Sequence, residues 1–216
     1  MATTLGELRS RILRLLGDPE GAGYSGDLLL DGIVAAMEAI LPWMPKTART
    51  LFTGDGNTVI YALPSDLYET EAVVVNLSGE VLPRSVLSPG QKLGLYSTNV
   101  NQWIEYPSGS MTFAKALRTG EVYDLYYLAR WTKPTTTSLD SEVLETPDVA
   151  LTGLTIYAAA YVILPTAIGV SELNPFKTRV DSGNPTHNPM QDTALYLLDL
   201  FAKEMNRHPK HQKATK

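Results

Sequence analysis

The chain has 216 residues, enough for one or two domains, and 44% of them are hydrophobic, which excludes a wholly disordered protein. It carries 18 Lys and Arg against 23 Asp and Glu, a net charge of -5, whereas a protein built mainly to neutralise DNA phosphates is basic. With no cysteine, thiol catalysis, Cys-containing zinc sites and disulfides are excluded, and a reducing compartment fits. The opening MATTLGELRSRIL alternates apolar and charged residues and does not read as a secretory signal, so the sequon Asn76-Leu77-Ser78 carries no weight.

Thr4-x-x-Glu7 predicts a capping box, because the Thr4 hydroxyl can accept from the Glu7 N–H while Glu7 reaches back. Leu5, Leu8, Ile12, Leu15 and Leu16 follow at helical spacing, with Gly17 as the stop. After a turn-rich link at 18–26, a second helix starts near Ser25 or Asp27. Its stripe is Leu29, Ile33, Met37, Ile40 and Leu41, and Pro42 ends it.

From about Thr50 to Lys133 the period changes to that of strands. Gly54-Asp55-Gly56-Asn57 is turn chemistry, and 59–62, 72–75, 103–106, 111–113 and 122–128 read as strands. Ser88-Pro89-Gly90-Gln91 is a candidate start for a short helix ending near Tyr96. Most connections are too short for parallel crossovers, so the sheet is expected to be antiparallel.

Residues 134–147 read as a Thr-, Ser- and Pro-rich loop, with helix returning at about Asp148. From Val149 to Ser171 there is no charge. A transmembrane span is rejected because Thr152, Gly153, Thr155, Tyr157, Tyr161 and Pro165 interrupt the run and its flanks, Asp148 and Glu172, are acidic. A helix apolar on most sides is expected to be buried on most sides. Residues 172–188, with Asn174-Pro175, Ser182-Gly183 and Asn184-Pro185, read as a long loop at a subunit or partner interface, with Asn174, Phe176, Lys177, Arg179, Asp181 and Asn184 as its candidate contacts. The last helix runs from about Pro189 to Met205, its apolar face formed by Met190, Ala194, Leu197, Leu198, Phe201 and Met205.

The fold class is therefore α+β. N- and C-terminal helices, residues 1–48 and 148–205, form a helical bundle interrupted by an antiparallel β module at 49–133, with a linker loop at 134–147. Charge is uneven along this plan. Residues 203–216 hold Lys203, Arg207, Lys210, Lys213 and Lys216 against Glu204 alone, so an acidic body ends in a basic, hydrophobe-poor extension.

Catalytic machinery is hard to find. There is no Gly-x-x-x-x-Gly-Lys-Ser/Thr loop, no Gly-x-Gly-x-x-Gly after a strand and no Gly-x-Ser-x-Gly elbow. His208-x-x-His211 has Pro209 between its histidines and lacks the further ligands a zinc site needs. Glu69-x-Glu71 puts two carboxylates on one strand face, where an exposed charged face explains them without a paired-acid site. Tyr123, Tyr126, Tyr127 and Trp131 have few basic neighbours, so packing is preferred over base stacking. No cofactor or metal is expected.

The order of elements resembles that of the head-to-tail adaptor (connector) proteins of tailed bacteriophages. The resemblance is carried by the helix Leu5–Leu16, by Asp27-Leu28-Leu29-Leu30-Asp31-Gly32-Ile33, and by Tyr61-Ala62-Leu63-Pro64-Ser65-Asp66-Leu67-Tyr68-Glu69 entering Ala72-Val73-Val74-Val75. Leu125-Tyr126-Tyr127-Leu128-Ala129-Arg130-Trp131 and the Ala/Tyr-rich helix Leu154–Leu164 complete it. It covers most of residues 5–205. It implies a structural virion protein of the neck, assembled in the bacterial host cytoplasm as a ring of twelve under the portal protein. Such a ring extends the DNA channel without sequence-specific DNA binding and meets the next neck, tail or nozzle protein. It also implies a C-terminal arm reaching into the portal, a role that falls on 203–216 and there on Lys203, Arg207, His208, Lys210, His211 and Lys213. Two other classes remain open: another neck or tail ring component, such as a stopper or tail-completion protein, and an enzyme with an unrecognised site.

Overall fold

A computed structural model describes residues 3–85, 102–106, 109–177 and 189–208. The chain is mixed α+β, with four α-helices and antiparallel sheets among these residues. It divides into two compact units. One comprises the residues up to Met44 together with those from Trp131 through the last helix, and the other is Pro45–Arg130.

In the helical unit, α1 (Leu5–Leu15) opens with the expected capping box. The Glu7 N–H donates to Thr4 Oγ1 and the Thr4 N–H to Glu7 Oε2, both at 3.2 Å. The helix ends in a Schellman motif: Gly17 takes φ +74°, its N–H reaches Arg14 O, and the Asp18 N–H reaches Leu13 O. Helix α2 (Gly26–Ala39) is capped by the Ser25 side chain and ends three residues before Pro42, the expected stop; Leu29, Ile33 and Met37 of the predicted stripe are buried on the helix, and Ile40 and Leu41 are buried just after it. A 3-10 turn (Asp148–Ala150) leads into α3 (Leu151–Lys177), and α4 is Pro189–Met205.

Helix α3 extends six residues into the segment expected to be a loop, so the 172–188 reading is corrected for residues 172–177. Asn174, Phe176 and Lys177 belong to the helix. Asn174-Pro175 looked like a break, yet a proline removes only its own N–H, and the backbone bonds of the neighbouring turns carry the helix past it. Arg179, Asp181 and Asn184 lie outside the described residues.

Helix α3 is long and apolar enough to cross a membrane by length and composition. Its apolar window, Asp148–Pro165, is 44% buried, short of the burial on most sides that the sequence suggested, and the buried part is covered by other helices of this unit. Gly32 of α2 lies so close that a Cβ there would sit 3.0 Å from Ala158 O and from Val162 Cγ2. Phe201 and Met205 of α4 close over Gly153. Ala158, Ala159 and Ala160 are fully buried, because only a methyl fits where backbones approach this closely. The core joins Leu5, Leu8 and Ile12 of α1 to Leu154, Val162, Leu197 and Phe201.

Residues 138–147 are held against the start of α1. The Leu5 N–H reaches Glu142 O (2.8 Å), Gly6 N–H reaches Asp140 O (2.9 Å) and Leu144 N–H reaches Thr3 O (2.9 Å). Arg9 adds an ion pair to Asp140, and the buried Leu144 joins the helical core. The first two of these bonds occupy N-terminal amides of α1 that no helical turn can satisfy.

In the second unit, β1 (Lys46–Thr53), β2 (Ile60–Ala62), β3 (Leu67–Val75), β4 (Val81–Leu82), β5 (Trp103–Tyr106), β6 (Ser110–Phe113) and β7 (Val122–Ala129) form two sheets, ordered β1-β7-β3-β4 and β2-β6-β5. Every strand pair is antiparallel. Strand β1 begins four residues before the predicted change of period, and β4 was not foreseen. The core between the sheets is Val73, Trp103, Met111, Phe113, Tyr123 and Leu125 with their neighbours. Phe52 stacks on Tyr123 at 5.7 Å and meets Phe113 at 6.0 Å. The short helix expected at 88–96 lies outside the described residues.

Candidate assembly surfaces

The residues expected to form the C-terminal arm begin on a helix. Lys203 stands in the last turn of α4 and pairs with Asp199 four residues earlier; that contact holds its ammonium pKa above the ordinary lysine value, by hydrogen bond first and by charge second. Arg207 follows the helix and pairs with Glu204 at 2.6 Å. The His208 N–H donates to Met205 O (2.9 Å) and the Arg207 N–H to Glu204 O (3.1 Å), so the chain continues in a turn after Met205. Lys210, His211 and Lys213 lie outside the described residues. A positive side chain near a helix C-terminus also interacts favourably with the helix dipole, which gives Lys203 and Arg207 a local role.

The structure places the chemistry-bearing residues of the β unit as follows. Strand β3 shifts register between Leu67 and Glu69 and again between Thr70 and Ala72. The second irregularity breaks the alternation between Glu69 and Glu71, leaving Glu69 half-buried and Glu71 exposed. Tyr123 and Tyr127 are buried, and only Tyr126 of the three faces solvent, beneath the Arg49 guanidinium. Burial pushes the Tyr123 phenol up to about 12, reinforced by its hydrogen bond to Glu121. Burial also raises Tyr127, with Asp66 adding to it. In the helical unit, Trp131 donates its indole N–H to Met44 O at 2.8 Å. These rings anchor cores and turns and form no continuous stacking platform. Among the described residues no group of three His, Cys, Asp or Glu side chains is placed to hold a metal ion.

One surface was not legible in the sequence. An open groove of about 640 Å³ lies between α1 and the first turns of α3, lined by Arg11, Arg14, Leu15, Thr152, Thr155 and Ile156. Arg14 donates its Nε to Ser10 O (3.2 Å), and Thr155 donates its hydroxyl to Leu151 O (2.8 Å). Neither arginine meets a carboxylate among the described residues, whereas Arg9, Arg49, Arg84 and Arg207 each do. The groove is cationic along one rim and apolar at Leu15 and Ile156. It is suited to receiving a protein surface, and it contains no nucleophile–base pair.

A search of curated proteins finds no match to this chain. A family profile described as SU10 adaptor protein matches residues 3–168, from the cap of α1 through both sheets and well into α3. The chain therefore belongs to the SU10 adaptor protein family, bacteriophage head-to-tail adaptors that form a structural family and not a class of enzymes.

Proposed function

We propose that this chain assembles as a dodecameric ring beneath the portal, in the neck of the virion, where it extends the DNA channel and connects the head to the next neck, tail or nozzle protein. Assembly takes place in the host cytoplasm. The observation that carries this reading is the family match over residues 3–168. The helices of the helical unit act as the bundle of each subunit, and Pro45–Arg130 is an insertion in it. The acidic balance of the chain, -5 overall, suits a conduit through which DNA slides, because dense phosphate contacts would hold it.

Attachment to the portal falls to the basic C-terminal arm, residues 206–216, extended between portal subunits. Arg207, His208, Lys210, His211 and Lys213 meet carboxylates there, Lys203 adds positive charge at the arm's root on α4, and Pro209 keeps the arm from continuing α4. Ordering an arm costs chain entropy, so one arm binds weakly. A ring of them binds strongly, because each docked arm raises the effective concentration of the rest. The residues at 174–184 serve as an interface with a neighbouring subunit or partner.

The test is deletion of residues 206–216. Portal attachment should be lost while the circular dichroism and the unfolding midpoint stay at wild-type values. Attachment at wild-type strength would place the docking surface elsewhere. Imaging the wild-type assembly on portal and counting its symmetry tests the ring. A hexamer that ignores portal would identify a stopper or tail-completion protein instead.

A further inference from the structure

The outward side of α4 complements the α1–α3 groove. Asp192, Leu195, Tyr196 and Asp199 recur at helical spacing on the side away from the buried Ala194, Leu197, Phe201 and Met205. Leu195 is 53% and Tyr196 61% exposed, high values for two large apolar side chains one residue apart. Asp192 and Asp199, the latter paired with Lys203 on its own helix, thus flank an apolar pair on α4, and two arginines flank an apolar patch in the groove. The two surfaces do not overlap. Around α3, Gly153 and Tyr157 face Phe201 and Met205 of α4, whereas Thr152, Thr155 and Ile156 line the groove.

We propose that the α4 stripe of a second copy of this chain docks in the α1–α3 groove. Leu195 and Tyr196 lie on Leu15 and Ile156, and Asp192 and Asp199 lie toward Arg11 and Arg14. The occupant is argued from charge and apolar complementarity carried by one chain. Groove and stripe are different patches, so the contact is head-to-tail, and every added copy presents a fresh groove or a fresh stripe. Such a contact closes into a ring when its rotation permits and otherwise propagates as a filament. The inference rests on the ring reading above and supplies the surfaces that would build it. Apolar burial contributes most of the affinity, while the charges set register and make association sensitive to salt.

The experiment uses the full chain in sedimentation velocity across a concentration series, with circular dichroism as the check on folding. Arg11→Glu/Arg14→Glu blocks the groove and leaves the stripe intact. Leu195→Ser/Tyr196→Ser removes the apolar anchors of the stripe and leaves the groove intact. All four positions are solvent-exposed, so both variants should fold. Each alone should self-associate about tenfold more weakly or worse, the scale of losing one interface anchor. Mixed together they should form 1:1 dimers and nothing larger, because one intact groove meets one intact stripe and the chain of contacts then stops. Wild-type association in either folded variant, no dimer on mixing, or a wild-type chain that stays monomeric at every concentration overturns the inference. Portal attachment is read separately. A chain that binds portal but whose assembly ignores these substitutions loses this interface alone. A chain that assembles through them but ignores portal loses the adaptor attachment alone.

Discussion

Arg49 of β1 reaches diagonally across the strand pair to Asp124 of β7, although its in-register neighbour is Tyr126. Its Nε and Nη2 lie 2.7 and 2.6 Å from Asp124 Oδ1, and Asn76 donates to Oδ2 at 3.0 Å. The carboxylate is 4% exposed, so a negative charge inside the β unit is held by one cation and one amide. Removing one partner of such a pair is costly, while replacing both with apolar groups is often tolerated. Arg49→Met should therefore lower the urea midpoint of the β unit, and Arg49→Met/Asp124→Leu should recover most of the loss. A double variant as weak as the single would show that the pair is not the source of the effect.

Two side chains set opposite pH limits on the same unit. Asp55 accepts from the Thr58 hydroxyl and from the Thr58 and Asn57 N–H groups, which lowers its pKa to about 2. Its contribution to stability is present above the ordinary carboxylate value near 3.8 and is lost as pH falls toward 2. Tyr123 behaves in the reverse sense. Its phenol is raised from 10 to about 12, so its contribution is full below pH 10 and lost as pH rises through 12. Asp55→Asn should flatten the acid limb of a stability–pH curve, and Tyr123→Phe the alkaline limb. An unchanged limb in either variant would count against the corresponding assignment.

Glycines at two close approaches should respond differently to a methyl group. At Gly54 a Cβ would press on the Arg118 carbonyl oxygen and lie 2.9 Å from the Leu117 carbonyl carbon, groups held by the Glu121 N–H to Arg118 O and Gly56 N–H to Leu117 O hydrogen bonds. Gly54→Ala should cost about 1–3 kcal/mol, the range for overpacking. At Gly153 the clash is with the thioether end of Met205, which can rotate away, and alanine favours the helix by about 1 kcal/mol. Gly153→Ala should stay within about 1 kcal/mol of wild type. Denaturant midpoints of the two variants decide the matter.

Insertion of a bulky tag beside Gly183 should impair assembly and leave the far-ultraviolet dichroism unchanged. The motive is the run of Ser182-Gly183-Asn184-Pro185 in a segment expected to face a neighbour. Normal assembly with the tag in place would remove that role from the segment.

Helix ends were the most legible feature of the sequence, because their signals are local. Thr4 and Glu7, Gly17, Ser25 and Pro189 each act within one turn, and each marks a boundary where the structure has one. The start of β1 was missed because Lys46-Thr47-Ala48-Arg49 has little apolar content. The partner that makes Arg49 a strand residue is Asp124, 75 residues away. Pro175 misled in the other direction, since continuation of α3 depends on the turns around it. The groove left no trace in the sequence. Arg11 and Arg14 belong to α1, and Thr152 and Ile156, which line the groove with them, lie about 140 residues further along the chain, where no local pattern joins the two.

The stitching of residues 140–144 to Thr3, Leu5 and Gly6 imposes an order of events at the ribosome. The β unit, Pro45–Arg130, is contiguous in sequence and can close as soon as it has emerged. Helices α1 and α2 emerge earlier but must wait, with Leu5, Leu8, Ile33 and Met37 exposed, until the segment from Trp131 through α4 arrives to cover them. Helices α1 and α2 are thus made before the β unit and buried after it, and a nascent chain stalled near residue 130 would present a finished β unit behind two uncovered apolar helices.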